Sequence, residues 1–231
     1  MKKQAANKKK CRKDYTQEAY QGIRKLFFLN EIVPGQKISY RDLAERLKMS
    51  STPVIQALKR LEFQGLVRHE PNRGYYTEPI SLEEITEIYE FRELIELSLL
   101  SKTIKKINAR GLGKLKKALQ NHLEAVRDIS MKERLIRDME FHLVLAGLSG
   151  CAVQVNALKS LFDLLYLKYR GNILFVTPME QVDKEHQKIY DAVSDADLAT
   201  AKTVLSGHIG NVKKHAVFSI EQMHRQSVEL I

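Results

Sequence analysis

From Ser81 to the C-terminus the chain contains no run of β-type residues of any length. A stretch of that size can bury its apolar side chains only by packing helix against helix. Six helical segments read from it. Ser81-Leu82-Glu83-Glu84 has the form of a capping box and opens a long helix to about Ile107. Gly111-Leu112-Gly113 breaks it from a second helix, about 113–128, and a third spans about 131–148. A fourth runs from about 152 to 172. Thr177-Pro178-Met179-Glu180 is again of capping-box form, with Pro at the first helical position, and starts a fifth helix to about Ser194. The last covers about 196–225. Residues 80–231 are therefore expected to form an antiparallel all-helical bundle, and the chain as a whole to be mainly α.

Residues 15–79 read differently. Tyr20, Ile23, Leu26 and Phe27 are spaced for one face of a helix over 15–29. Ile32-Val33-Pro34-Gly35 is a turn. Ser39 to Asp42 again has capping-box form, with Asp in place of the usual Glu or Gln, and opens a short helix to Lys48. A third helix runs from Ser51 to Gly65, with Pro53 in its first turn, where a missing N–H costs little. Ala57, Leu58, Leu61 and Phe63 supply its apolar surface. Two short β-type runs then flank Pro71-Asn72-Arg73-Gly74, a hairpin turn with arginine at its tip. Three helices followed by a basic hairpin make a winged helix-turn-helix. In such a unit the third helix enters the DNA major groove and the wing lies near the backbone or minor groove.

Charge supports that assignment. Residues 1–79 hold 17 Lys and Arg against 8 Asp and Glu, whereas the remainder holds 21 against 20. The excess positive charge sits in the N-terminal third, as in a polyanion-binding module joined to a neutral one. Residues 1–14 read as a basic disordered tail that adds non-specific DNA affinity. No apolar run approaches the roughly 20 residues of a membrane span, and no signal-peptide segment follows the basic start, so a cytoplasmic protein is expected. Cys11 and Cys151 form no C-x-x-C pair, which argues against a disulfide framework or a cysteine zinc site.

Asp138 and His142 lie four apart in RDMEFHLVLA and so project from one helix face. His186 and His208 follow on two further helical segments. For any one of the seven histidines a plain core or surface position is the ordinary reading. One carboxylate and three imidazoles from three helices of a bundle, however, suit a single divalent transition metal: Zn, Ni, Mn, Fe or Co.

The stretch 34–76 resembles the GntR-type winged helix. It keeps Leu43, Ala44, Leu47, Ser50, Thr52, Pro53, Val54, Ala57, Leu58, Arg60, Leu61, Gly65, Leu66, Val67 and the wing Asn72-Arg73-Gly74. It departs at Ser51 and Ile55, where the family carries arginine, and at Gln56, where it carries glutamate. The resemblance implies DNA reading by Ser51, Thr52 and Gln56 at base edges. Phosphate contacts would come from Arg41, Arg46, Lys59, Arg60 and Arg73, with Gly74 shaping the wing. Because each lost bidentate base contact is worth about 1–3 kcal/mol, an operator unlike the usual one is expected.

Residues 81–226 resemble the FCD class of GntR regulators, named for the FadR C-terminal domain. The markers are Asp138 to His142, Glu185-His186 to Ala192, a later His208, and Arg92 to Glu96 in the first helix. The family's Gly-Asn after the metal helix is here Gly150-Cys151. The resemblance implies a metal held by Asp138, His142, His186 and His208, and a homodimer on a palindromic double-stranded operator. A small carboxylate effector is expected beside the metal, with Arg92 as its partner and Tyr166, Tyr169 and Arg170 as further contacts. The expected function is thus that of a DNA-binding transcriptional regulator, acting as a repressor, whose operator binding is modulated by a small organic-acid effector at the metal site. The alternative is a metal-dependent hydrolase fused to a DNA-binding module. It lacks an evident general base, since Glu140 and Glu185 neighbour ligands in sequence and so point away from them on a helix.

Overall fold

The computed structural model describes residues 14–128, 131–169 and 177–229. Residues 1–13 of the basic tail, Cys11 among them, and Arg170 lie outside the described residues. The chain divides into two compact units between Glu78 and Pro79.

In the first unit, α1 (Tyr15–Phe28) is capped by Asp14, whose carboxylate accepts the Gln17 N–H at 2.9 Å. It buries Ala19, Tyr20, Ile23, Leu26 and Phe27. Ser39 caps α2 (Tyr40–Arg46) by accepting from the Asp42 N–H at 3.2 Å. α3 (Ser51–Phe63) buries Val54, Ala57, Leu58 and Leu61 against α1. Phe63, expected on that apolar surface, is instead 94 % exposed. It lies two residues beyond Leu61, about 200° around the helix, and so on the opposite side. Gly65 ends the helix with φ +73°, a conformation free to glycine.

The hairpin is β2 (Val67–Glu70) and β3 (Gly74–Thr77), turned through Asn72 at φ 64° and Gly74 at φ 102°. A two-residue β1 (Lys37–Ile38) pairs antiparallel with β3, giving the sheet order β1-β3-β2. Two residues carry no alternation to read, so this strand is invisible to pattern. Thr77 holds it in place, accepting the Gln36 N–H at 2.7 Å and donating to the Val33 carbonyl at 2.6 Å.

The second unit is all-helical: α4 (Leu82–Lys106), α5 (Ala109–Asp128), α6 (Met131–Gly147), α7 (Ala152–Leu164), α8 (Met179–Ser194) and α9 (Leu198–Glu229). Its core is one cluster that includes Tyr89, Leu99, Leu115, Phe141, Leu158, Ile189, Leu205 and Ile209. α4 packs along α9, and α5 along α6. Ser81 caps α4 through the Glu84 N–H at 3.2 Å. Three boundaries differ from expectation. The break after α4 falls at Ile107 and Asn108, because the Asn108 side chain accepts the Gly111 N–H at 2.9 Å and starts the helix ahead of both glycines. After Leu164 the fourth helix widens into a π-turn, Leu165–Tyr169. Pro178 takes the cap position of α8 rather than its first turn, with no side-chain capping bond.

Candidate metal centre and nucleic-acid interface

α6 carries Asp138 and His142 on one inward face, α8 carries His186, and α9 carries His208. All three imidazoles are buried. One donor atom from each of the four side chains lies within 4.8 Å of every other. His142 Nε2 is 3.3 Å from both His186 Nε2 and His208 Nε2, and His186 Nε2 is 3.3 Å from Asp138 Oδ1.

The opposite ring nitrogens explain why the Nε2 atoms converge. His142 Nδ1 is 2.7 Å from Glu96 Oε2, His208 Nδ1 is 2.8 Å from Glu185 Oε2, and His186 Nδ1 is 2.8 Å from the Val182 carbonyl. Each is an acceptor, so each Nδ1 carries the proton. Three Nε2 lone pairs and a carboxylate therefore face one another around the buried imidazoles, which is a repulsive arrangement unless a cation joins them. Nitrogen and oxygen donors of this kind suit a borderline divalent metal, and the donor set fits one.

Electrostatics point the same way. Burial pushes the His142 and His186 imidazolium forms down, so both rings stay neutral. Burial alone would raise Asp138, but the surrounding His186, His142, His122 and Arg92 outweigh it and keep the carboxyl well below the usual range. Glu96, also buried, is held down to about 2 by His142 and Arg92.

Beside Asp138 lies a cavity of about 30 Å³, lined by Tyr89, Arg92, Arg134, Leu135, Asp138, Met139, Leu165, Thr177, Val182 and Val212. Arg92 is 2 % exposed; its Nε donates to Glu96 at 2.6 Å and its guanidinium lies over the Phe162 ring at 4.9 Å. Among the described residues its Nη2 finds no partner. Tyr166 and Tyr169 do not line the cavity. The Tyr169 hydroxyl is instead engaged with Glu84 and, at 3.0 Å, with the Ser81 carbonyl. Arg134 and Thr177, which do line it, carry no sequence signal of a ligand site; Thr177 reads only as a helix cap. Glu140 is paired with Arg137 at 2.9 Å, and Glu185 with His208 and Asn211, so the geometry leaves neither as a general base.

In the first unit, Thr52, Gln56 and Lys59 form one exposed stripe on α3, with Ser51 and Ile55 half-buried beside it. Gln56 Oε1 accepts from the Thr16 hydroxyl at 2.6 Å, a contact with α1 that spacing alone does not reveal. Arg60 lies 3.9 Å over the Tyr20 ring and donates to Gln17 at 2.8 Å. Arg46 pairs with Glu31, and Arg41 lies near its neighbour's ring, 5.8 Å from the Tyr40 centroid. Arg73, at the wing tip beside Gly74, has a side chain 76 % exposed, with only a loose 3.7 Å approach to Glu70.

Comparison with known proteins agrees with this division. Residues 15–76 match the family described as bacterial regulatory proteins, gntR family, and residues 87–211 match the FCD domain. The chain is 24 % identical over 213 residues to the HTH-type transcriptional regulator YdhC of Bacillus subtilis, covering 90 % of this chain and 93 % of that one. It is 21 % identical over 211 residues to the HTH-type transcriptional repressor RspR of Escherichia coli, covering 91 % of each. Among solved structures, E. coli McbR/YncC has the same fold, with a TM-score of 0.75 at 16 % identity over 90 % of this chain and 98 % of that one.

Proposed function

The chain belongs to the GntR family of bacterial regulatory proteins, with a C-terminal FCD domain, and from that premise we propose that a small organic acid bound at a metal centre in the bundle controls its hold on DNA. The family and the relatives are transcriptional regulators, not enzymes, and nothing in the geometry favours a hydrolase. Among the described residues no helix is long and apolar enough to cross a membrane.

The convergence of Asp138, His142, His186 and His208, each imidazole steered by an acceptor behind it, carries the reading. A divalent ion held there supplies positive charge and open coordination positions to a ligand oxygen. Arg92 supports the same ligand from the cavity side: Glu96 holds its Nε, and the unpartnered Nη2 is available to a carboxylate. Loss or gain of that ligand shifts the balance between two arrangements of the helices and so the affinity for operator DNA. In this reading the protein is a homodimer on a palindromic site. The exposed Phe91 and Leu94 of α4 support packing against a second copy. It acts as a repressor, as the name of its relative RspR describes that protein.

Metal content of the purified full chain tests the reading. About one transition-metal ion per chain, lost in the His142→Ala, His186→Ala double variant with the fold intact, is the expected result. No metal in either protein would sink it, and the DNA-binding assignment would stand alone.

A further inference from the structure

Resting on that reading, we propose that the effector is a compact dicarboxylate, its second carboxylate held by Arg134 and Thr177. Three residues that line the cavity beside Asp138 each carry a buried polar atom without a hydrogen-bond partner among the described residues: Arg92 Nη2, Arg134 Nη1 and Thr177 Oγ1. All three residues are at least nine-tenths buried. Burying a polar hydrogen-bonding group without a partner is costly, so three around one small space point to a ligand that satisfies them together.

The two guanidiniums are built alike. Arg92 comes from α4 and is braced by Glu96; Arg134 comes from α6 and is braced by Asp183 at 2.9 Å and the Met179 carbonyl at 3.2 Å. Each brace holds one part of the head group and leaves another nitrogen of a cavity-lining residue without a partner. His122 Nε2 lies 3.2 Å from the same Asp183 oxygen that accepts from Arg134. A monocarboxylate beside the metal satisfies Arg92 and leaves Arg134 and Thr177 orphaned. A second carboxylate, accepting from Arg134 Nη1 and Thr177 Oγ1, completes the set. A cavity of about 30 Å³ holds roughly two waters, so even a di-acid with a short spacer enters only if the lining side chains shift. Asp138, Leu135 and Arg134 reach the cavity from one helix face, so the same segment of α6 holds the metal and reads the far end of the ligand.

Titration calorimetry on the zinc-loaded full chain decides this, with malonate and succinate compared against acetate and propionate. The expected result is that a di-acid binds about tenfold or more tightly than either mono-acid. Arg134→Gln and, separately, the near-isosteric Thr177→Val should remove that advantage while leaving mono-acid affinity unchanged. The Thr177 variant keeps the test open if breaking the Arg134–Asp183 pair unfolds the bundle. Equal affinity for the two classes, or a di-acid advantage untouched by both variants, overturns the proposal and leaves a mono-acid effector standing. No binding of any acid to the zinc-loaded protein overturns the effector reading as well.

Discussion

Glu96 stands behind His142: its Oε2 accepts from Nδ1–H at 2.7 Å, while its Oε1 accepts from the Arg92 Nε–H at 2.6 Å. One buried carboxylate on α4 therefore orients both a candidate metal donor on α6 and the candidate effector arginine. The side chains of Arg92 and Glu96 are 3 % and 2 % exposed, so the pair has no solvent alternative. In the proposed reading, Glu96 is the point at which metal and ligand binding would be joined.

Glu96→Gln should uncouple them. An amide can present either its oxygen or its NH₂ to Nδ1; the donor choice drives the imidazole proton onto Nε2 and into the donor cluster. Outer-shell changes of this kind typically cost 10–100-fold in metal affinity. Chelator competition on wild type and variant checks it, and an unchanged affinity would remove Glu96 from the site.

Burial holds the folded His142 and His186 below the ordinary 6.5. Their unfolded counterparts take up protons near that value. The unfolded state thus binds more protons as pH falls below about 6.5, and stability declines from there toward the depressed folded values. The expected slope is up to about 1.4 kcal/mol per pH unit for each histidine. Glu96, held near 2 against an ordinary 4.5, contributes only at lower pH, below about 4.5. Melting of chelator-treated protein between pH 7.5 and 5 (about that range) tests the sign; a midpoint that stays flat, or rises on acidification, contradicts it. Added metal should steepen the fall, because protons compete for the same Nε2 atoms.

Features set by neighbours in sequence were legible: Pro53 at the start of α3, Gly65 at its end, Asn72 and Gly74 where the wing needs positive φ. Asp138 and His142 share a face for the same local reason, and the order of His186 and His208 placed them on other helices of the bundle. What could not be read depends on how helices slide against one another. Glu185 adjoins His186 in sequence yet supports His208 on α9. Arg134 sits one turn before Asp138, but only the packing of α8 gives it Asp183 and makes its remaining N–H a cavity wall. The Asn108 cap overrides the glycines after it because a side-chain acceptor stabilises an orphan N–H more than glycine flexibility weakens a turn.

The π-turn makes a second, independent connection to α4. Lys168 and Tyr169 both reach Glu84, and the Tyr169 hydroxyl also meets the Ser81 carbonyl. Ser81 and Glu84 form the cap of α4 itself. Tyr169→Phe should cost about 1 kcal/mol, since it removes the hydroxyl's bonds to the half-buried Glu84 and to the Ser81 carbonyl. A double-mutant cycle with Glu84→Gln should show coupling of at least about 0.5 kcal/mol by denaturant unfolding. Strict additivity would mean the contact contributes nothing specific.

On α3, Gln56 and Lys59 are exposed on one stripe but should fail in different ways when truncated. Gln56 has its Oε1 engaged by Thr16, which orients its amide. Gln56→Ala is therefore expected to cost about 1–3 kcal/mol on the operator and to relax preference at one base position, with little effect on unrelated DNA. Lys59→Ala and Arg73→Ala should weaken all sequences alike, each lowering the slope of log affinity against log salt by about 1. Binding isotherms on operator and random duplexes at several salt concentrations separate the two behaviours. If Gln56→Ala weakens both duplexes equally, α3 positions the domain through the phosphates, and base reading lies with Ser51, Thr52 or the wing.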